Sequence, residues 1–342
     1  MASSSNDKLL EIKDLKTYFF LDEGVVRAVD GVSFDVYRGK TLCVVGESGC
    51  GKSVMARSIL QIVDRPGKIA SGNIFYNRRS GANGSETVEQ VDLAALHPRG
   101  REIRSIRGKD ISMIFQEPMT SLSPIHTVGE QISEVITLHT DATAKEAKEH
   151  AIELMNRVGI PRPADRFGNY PFQLSGGMRQ RLMIAMALSC NPSLLIADEP
   201  TTAVDVTTQA QILDLLLELK EEFGMAIIFI THDLGVVAEV ADDVVVMYLG
   251  RVAERGDVDS IFHDPKHPYT RALLRSIPKL GASRRAGKLE TIRGMVPDPY
   301  NHPTGCLFHP RCDSKIKGVC DRISPTPIQL ENDREASCLL YE

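Results

Sequence analysis

Residues 46–53 read GESGCGKS, a complete match to G-x-x-x-x-G-K-S. The five residues before it, Thr41-Leu42-Cys43-Val44-Val45, form the kind of apolar run that makes a buried parallel strand. The residues after it, 54–62, can form a helix. A strand, a glycine-rich turn and a helix N-terminus in that order confine the chain to an α/β fold with a phosphate cradle. Gly46, Gly49 and Gly51 let the backbone bend around an anion, so that the N–H groups of Gly46, Glu47, Ser48, Gly49, Cys50 and Gly51 turn inward. The helix dipole adds partial positive charge at the same place. In such a loop Lys52 reaches the β- and γ-phosphates and the Ser53 hydroxyl sits on Mg²⁺. Without the flanking strand and helix, the same letters would read as a chance glycine-rich turn.

The bulk composition excludes several classes. A chain of 342 residues with 42% hydrophobic content can bury a large core and suggests about two domains. A net charge of −5, 6% aromatic content and no Trp argue against a nucleic-acid surface. No apolar run approaches the roughly 18–20 residues that span a bilayer; the most apolar stretch, 182–197, is broken by Asn191-Pro192. The first residues, MASSSNDK, have no apolar h-region, so no secretory signal is expected. A cytosolic chain follows, held at a membrane only by other subunits.

Along the chain, residues 9–39 alternate as strands do, with Gly31 and Gly39 as expected breaks, and 77–87 reads as a polar surface loop. Ile111–Phe115 is a core strand ending at Gln116, and from about 125 to 172 the pattern is helical. In 142–158 the apolar residues Ala147, Ala151, Leu154, Met155 and Val158 fall on one helical face. Residues 194–197 form a buried strand capped by Asp198-Glu199, 208–223 a helix, and 226–230 a buried strand leading to His232. Strands 244–248 and 251–254 flank Leu249-Gly250 as a hairpin. After about 265 Pro and Gly density rises, and the tail reads as a unit of its own. Alternating strands and helices point to an α/β core.

Two further segments bear on phosphate chemistry. In a chain with a phosphate loop, Asp198 at a neighbouring strand end can hold Mg²⁺ through water, and Glu199 can polarise the attacking water as a general base. By themselves they could equally cap the structure before Pro200. Leu174-Ser175-Gly176-Gly177-Met178 precedes a helix, which makes a second anion site or an ordinary N-cap. One nucleotide rarely needs two cradles within one chain. Two copies facing head to tail would use both, each nucleotide clamped between Lys52 of one and Ser175 of the other.

In order, GESGCGKS, Gln116, LSGGM at 174–178, LLIADE at 194–199, Asp205 and His232 resemble the nucleotide-binding subunit of an ATP-binding cassette (ABC) transporter over residues 8–265. The resemblance implies a RecA-like P-loop core with a β subdomain and an inserted α-helical subdomain at about 117–172. Gln116 would then touch Mg²⁺ and the attacking water, Asp205 would lie in a loop crossing the dimer interface, and His232 would contact the γ-phosphate and orient Glu199. Adenine would stack on Phe19, with Tyr18 the alternative. Taken singly, Gln116 and His232 also read as strand-end polar residues and Phe19 as core. Met178 departs from the commoner Gln of that signature, which puts only a peripheral contact in doubt.

Three stretches narrow the resemblance to ATPase subunits of dipeptide and oligopeptide importers: Arg107 to Pro118, HPYTRALL at 267–274, and GCLFHPRC at 305–312. That subfamily includes importers for nickel and for oligosaccharides. The resemblance implies a cassette at 1–265, a cysteine-bearing extension at 266–342, two membrane permeases, a second and related ATPase subunit, an extracellular binding protein, and a place on the cytoplasmic face of the membrane. A soluble ABC ATPase of DNA repair or translation fits less well, because those carry long insertions or two cassettes. An iron–sulfur regulator with a secondary ATPase is a third class.

Four of the seven cysteines, Cys306, Cys312, Cys320 and Cys338, fall in the last 37 residues. A reducing cytosol argues against disulfides there. The spacing lacks paired C-x2-C knuckles, and a tetrathiolate suits zinc or an iron–sulfur cluster. The wide gaps fit the larger body, and the subfamily resemblance favours a [4Fe–4S] cluster over zinc or unliganded thiols. A structural staple is its plainest role and a redox sensor the sharper one. Cys43 reads as strand core, Cys50 as a variable phosphate-loop position and Cys190 as a buried thiol.

Overall fold

The apolar run before the glycine loop becomes a five-residue strand, buried at every position. The computed structural model describes residues 7–80, 87–116, 121–202, 205–277 and 292–342. The chain forms two compact units: Met1–Val36, Thr41–Ala95 and Ile230–Glu342 in the first, Tyr37–Lys40 and Leu96–Phe229 in the second.

The first unit opens with β1 (Lys8–Leu21) and β2 (Gly24–Tyr37). Gly31, expected to end a strand, lies inside β2 with φ 85°, so it bends the strand without ending it. β3 (Thr41–Val45) leads through the glycine loop into α1 (Lys52–Ile59), which starts two residues earlier than the apolar pattern suggests, at the loop lysine. β4 (Gly67–Ser80) and β5 (Thr87–Asp92) complete a four-stranded sheet in the order β2-β1-β4-β5. The polar stretch read as a loop over 77–87 is shorter than expected. Asn77, Arg78 and Arg79 pair with Gln90, Glu89 and Val88, because one face of this outer hairpin needs no apolar residues; 81–86 lie outside the described residues.

The second unit carries α2 (Arg101–Ile106) and β6 (Ile111–Ile114). Then come α3 (Val128–His139) and α4 (Ala144–Arg157), each opened by a capping box, Thr127 with Glu130 and Thr143 with Glu146. The short α5 (Pro163–Arg166) and α6 (Gly176–Leu188) follow. Residues 117–120, the start of the expected helical insertion, are outside the described residues. β7 (Leu194–Asp198) runs parallel to β6, with Ile114 opposite Ala197. α7 (Val206–Phe223) buries Ile212, Leu213, Leu215, Leu216 and Leu219 and stops at Gly224, whose φ of 60° makes the left-handed cap. β8 (Ala226–Thr231) is buried throughout and lies beside β7.

The chain returns to the first unit with α8 (Leu234–Val240), β9 (Asp243–Tyr248) and β10 (Arg251–Asp257). β9 and β10 form the expected hairpin; Leu249 and Gly250 both have positive φ, 44° and 79°, as a tight primed turn requires. α9 (Val258–His263) and α10 (Pro268–Arg275) lead to the tail. The tail does not stand apart. Its two short strands, β11 (Ile328–Gln329) and β12 (Glu335–Ala336), extend the order β11-β12-β10-β9-β3, with Ala336 opposite Glu254. Glu254, fully buried, accepts from the amides of Lys266 and His267 at 2.7 and 2.8 Å and from Arg334 of the tail at 3.3 Å. One buried carboxylate thus joins β10, the start of α10 and the tail.

Candidate functional site

The loop between β3 and α1 is shaped by close backbone approach. A Cβ on Gly46 (φ 152°) would meet the Met247 carbonyl at 2.2 Å, and one on Gly51 (φ 100°) the Ala28 carbonyl at 2.0 Å. Only glycine fits at either place. Ser48 and Gly49 are exposed at the crest, Ser53 is half-buried at the start of α1, and Cys50 is buried beneath. The Lys52 ammonium is buried and donates to the carbonyls of Gly46 and Glu47 at 2.7 and 3.1 Å, which draws the loop around it.

Phe19, also in this unit, is half-buried on β1 and its ring lies over Gly67, where a Cβ would come within 2.7 Å. Tyr18, next along the strand, points to the other face. Its hydroxyl donates to Asp30 at 2.6 Å, and burial followed by that bond pushes its pKa up to about 12. Tyr18 is thus engaged with Asp30. His232 follows β8 directly.

The acidic pair sits in the second unit. Asp198 closes β7 and is 1% exposed. Glu199 turns into the left-handed region at φ 47°, a conformation that costs a non-glycine residue on the order of 1–3 kcal/mol. Its carboxylate accepts from the Gln116 side-chain amide at 3.0 Å and from the Thr202 hydroxyl at 3.0 Å. The structure thus joins Gln116 and Glu199 across 83 positions of sequence. Thr202 was not singled out from sequence; its place three residues after Glu199 is the only signal that could have marked it.

Ser175 caps α6, its hydroxyl accepting from the Met178 amide at 3.3 Å, and Ser175 and Gly176 are exposed while Gly177 is half-buried. Asp205 caps α7 in the same manner, accepting from the Thr208 amide at 3.0 Å and the Thr208 hydroxyl at 2.8 Å; these two bonds hold its carboxyl below the usual range. Both cap their helices, Ser175 as its ordinary N-cap reading allowed and Asp205 in a way the sequence reading did not consider.

The tail brings its thiols together. Cys306, Cys312, Cys320 and Cys338 are unbridged. Burial pushes the Cys306 thiol up to about 11, and the neighbouring Cys338, Cys320 and Cys312 add to it. Cys312 and Cys338 rise for the same reasons, burial first and then a neighbouring thiol. The Cys306 amide donates to the Cys320 carbonyl at 2.8 Å, and the Ile316 amide to the Cys320 sulfur at 3.3 Å. Among the described residues no group of three or more His, Cys, Asp or Glu side chains is placed to hold a metal ion. Four thiols are donors of the chemical type that zinc and iron–sulfur clusters both take.

Sequence gave no hint of one contact. Arg311, between Cys306 and Cys312, is 7% exposed and grips the Glu47 carboxylate of the glycine loop in a bidentate pair at 2.6 and 2.9 Å. The Glu47 amide donates to the Tyr269 hydroxyl of α10 at 2.9 Å. Tyr269 is fully buried in an aromatic cluster with Tyr248 and Phe308, their ring centroids 4.6–5.3 Å apart. The Glu47 hydrogen bond raises the Arg311 pKa, and burial raises that of Tyr269, so both side chains keep their protons.

A family model described as ABC transporter matches residues 29–202, and one described as oligopeptide/dipeptide transporter, C-terminal region, matches residues 253–320. The oligopeptide transport ATP-binding protein AppD of Bacillus subtilis is 48% identical over 98% of this chain and 97% of its own length. The dipeptide transport ATP-binding protein DppD of Haemophilus influenzae is 46% identical over 93% of this chain and 91% of its own. Among solved structures, the ATP-binding cassette MJ0796, a dimer bound to ADP and Pi, matches with a TM-score of 0.63 at 25% identity, covering 73% of this chain and 99% of that one. This chain belongs to the ABC transporter ATP-binding family of ATPases, in the branch that carries the oligopeptide/dipeptide transporter C-terminal region. No helix among the described residues is long and apolar enough to cross a membrane.

Proposed function

We propose that this chain is the ATP-hydrolysing subunit of an importer for dipeptides or oligopeptides, working at the cytoplasmic face of the membrane as a peripheral subunit. The observation that carries this reading is one chain with all the cassette motifs in order, continued by a C-terminal region of the peptide-transporter type. Its partners are two permeases, a related second ATPase subunit and an extracellular substrate-binding protein. The domain limits are 1–265 for the cassette and 266–342 for the extension.

Lys52 and the amides of residues 46–53 hold the β- and γ-phosphates, and Phe19 stacks on adenine. Ser53, Gln116 and Asp198 supply the oxygen donors that suit Mg²⁺, which when bound neutralises phosphate charge. Glu199 takes the proton of the attacking water as the water oxygen bonds to the γ-phosphorus and the bond to the β–γ bridging oxygen breaks. Gln116 holds that carboxylate and His232 orients it from the γ-phosphate side. Ser175, Gly176, Gly177 and Asp205 act on the nucleotide of the partner cassette, so that closure needs two ATP-loaded subunits. Cys306, Cys312, Cys320 and Cys338 would hold a [4Fe–4S] cluster, which would supply a covalent staple and a one-electron couple.

The test is reconstitution with the neighbouring permeases and binding protein in liposomes. ATP-dependent uptake of labelled di- to pentapeptides is expected; uptake of nickel or an oligosaccharide in their place would reject the peptide assignment. Anaerobically purified chain should contain about four irons with acid-labile sulfide; zinc in their place would reject the cluster.

A further inference from the structure

The glycine loop is anchored from outside its own strand–loop–helix unit. Its second residue, Glu47, is held at the main chain by Tyr269 and at the side chain by Arg311. Both partners belong to the C-terminal segment, 222 and 264 positions away in sequence. Arg311 is itself fixed: its Nε donates to the Arg293 carbonyl at 3.1 Å, and one Nη contacts the Tyr248 hydroxyl at 3.4 Å. Arg311 immediately precedes Cys312, and the Cys306 carbonyl accepts from the amide of His309 at 3.0 Å within the same short turn. Arg311 thus sits in the same short turn as both thiols.

We propose that the cysteine-bearing tail sets the grip of the phosphate loop on ATP, with Arg311 and Tyr269 as positioning residues acting through Glu47. The inference deepens the proposed function and rests on residues 46–53 holding ATP. Two physical effects run in the same direction. The bidentate pair and the amide bond remove loop freedom before ATP arrives, so less ordering entropy is lost on binding. Arg311 also neutralises a carboxylate carried by the loop that must accept a triphosphate, and an unneutralised Glu47 would repel it. The turn that carries Cys306 and Cys312 also carries Arg311, so disturbing that turn loosens the pair with Glu47 and weakens nucleotide binding.

The experiment measures equilibrium binding of a fluorescent ATP analogue to the full chain, with KM and kcat for ATP in the assembled transporter and the melting midpoint of each variant. Arg311→Ala should weaken ATP binding about tenfold and raise KM equally, with kcat at saturating ATP falling by less than about threefold. Glu47→Gln should weaken binding by only about threefold, since the clamp is lost and the repulsion with it. Adding Glu47→Gln to Arg311→Ala should return affinity towards that of Glu47→Gln alone, a rescue that a purely structural anchor does not give. Arg311→Lys should fall between, because a point charge cannot make both hydrogen bonds. Cys306→Ser/Cys312→Ser should shift ATP affinity in the same direction as Arg311→Ala. Should Arg311→Ala fail to fold, Glu47→Gln and Tyr269→Phe still carry the test through the loop. A lower melting midpoint with unchanged ATP affinity, or no rescue in the double variant, would overturn the inference alone. A wild-type chain that bound no ATP would overturn the phosphate-loop reading together with it.

Discussion

The glycine loop and the cysteine tail gather their functional groups by opposite means. The loop is built from eight contiguous residues and uses mostly backbone: glycines at Gly46 and Gly51 where any Cβ would strike a carbonyl, and a lysine folded onto its own loop. The tail draws four thiols from a span of 33 positions and relies on side chains and short turns. A backbone site is specified locally, because spacing along the chain is spacing in space. A side-chain site drawn from distant turns is specified by whatever holds those turns. In this chain that is Glu254 with Arg334, the β10–β12 pairing and the aromatic cluster of Tyr248, Tyr269 and Phe308. Chemistry should therefore be concentrated in the loop and in the acidic strand end, and stability in the anchors of the tail.

The largest effect that could break this contrast is at Lys52. Lys52→Ala should lower ATP turnover by at least about a hundredfold while the fold persists, because a positioned cation on the phosphates is lost. Turnover within a few-fold of wild type would remove the loop from the chemistry. Next comes Glu199→Gln, expected to slow hydrolysis by about 10²–10⁴-fold with ATP binding retained, the range for losing a general base. Single-turnover assays with labelled ATP separate the two steps, and unimpaired cleavage would take Glu199 out of the mechanism.

On the tail side, Arg334→Ala should cost about 3 kcal/mol of stability, since it leaves the buried Glu254 carboxylate without its cation. Denaturant unfolding of the full chain measures this, and an unchanged midpoint would show that the tail is held elsewhere. A comparable effect concerns acid. His267 is fully buried, and burial lowers its pKa from 6.5 to about 4. Its neutral Nδ1 accepts from the Tyr269 amide at 3.0 Å. The unfolded chain takes up a proton at His267 below pH 6.5 while the folded chain resists until near pH 4, so stability falls as pH drops through that window. The loss is up to about 3 kcal/mol by linkage. His267→Gln should flatten that slope; an equal slope in both proteins would assign the acid sensitivity to other groups.

Legibility from sequence followed the same division. Motifs that are one strand end or one turn long were readable, namely the loop at 46–53, the acids closing β7 and the Leu249-Gly250 hairpin, as was the periodic helix read over 208–223. Boundaries slipped by a residue or two where caps decide them, as at Thr143 and Asp205, since the apolar pattern begins only after the cap. The outer hairpin of β4 and β5 was misread as loop because its solvent face is polar and its signal resembles a surface turn. Gly31 was misread as a break because a glycine within a strand and one ending it look alike in sequence.

By itself the sequence determined the cassette: an α/β core, a phosphate cradle, two strand-end acids, a serine-glycine helix start and four late thiols, all of them local patterns whose physics acts over a few residues. The tertiary structure alone decided that Gln116 meets Glu199, that the tail joins the sheet through β12, and that Arg311 and Tyr269 hold Glu47. Those contacts join residues 80 or more positions apart. Charge and hydrogen-bond pairing at that range depend on how strands and turns are brought together, and no periodicity in a linear sequence records it.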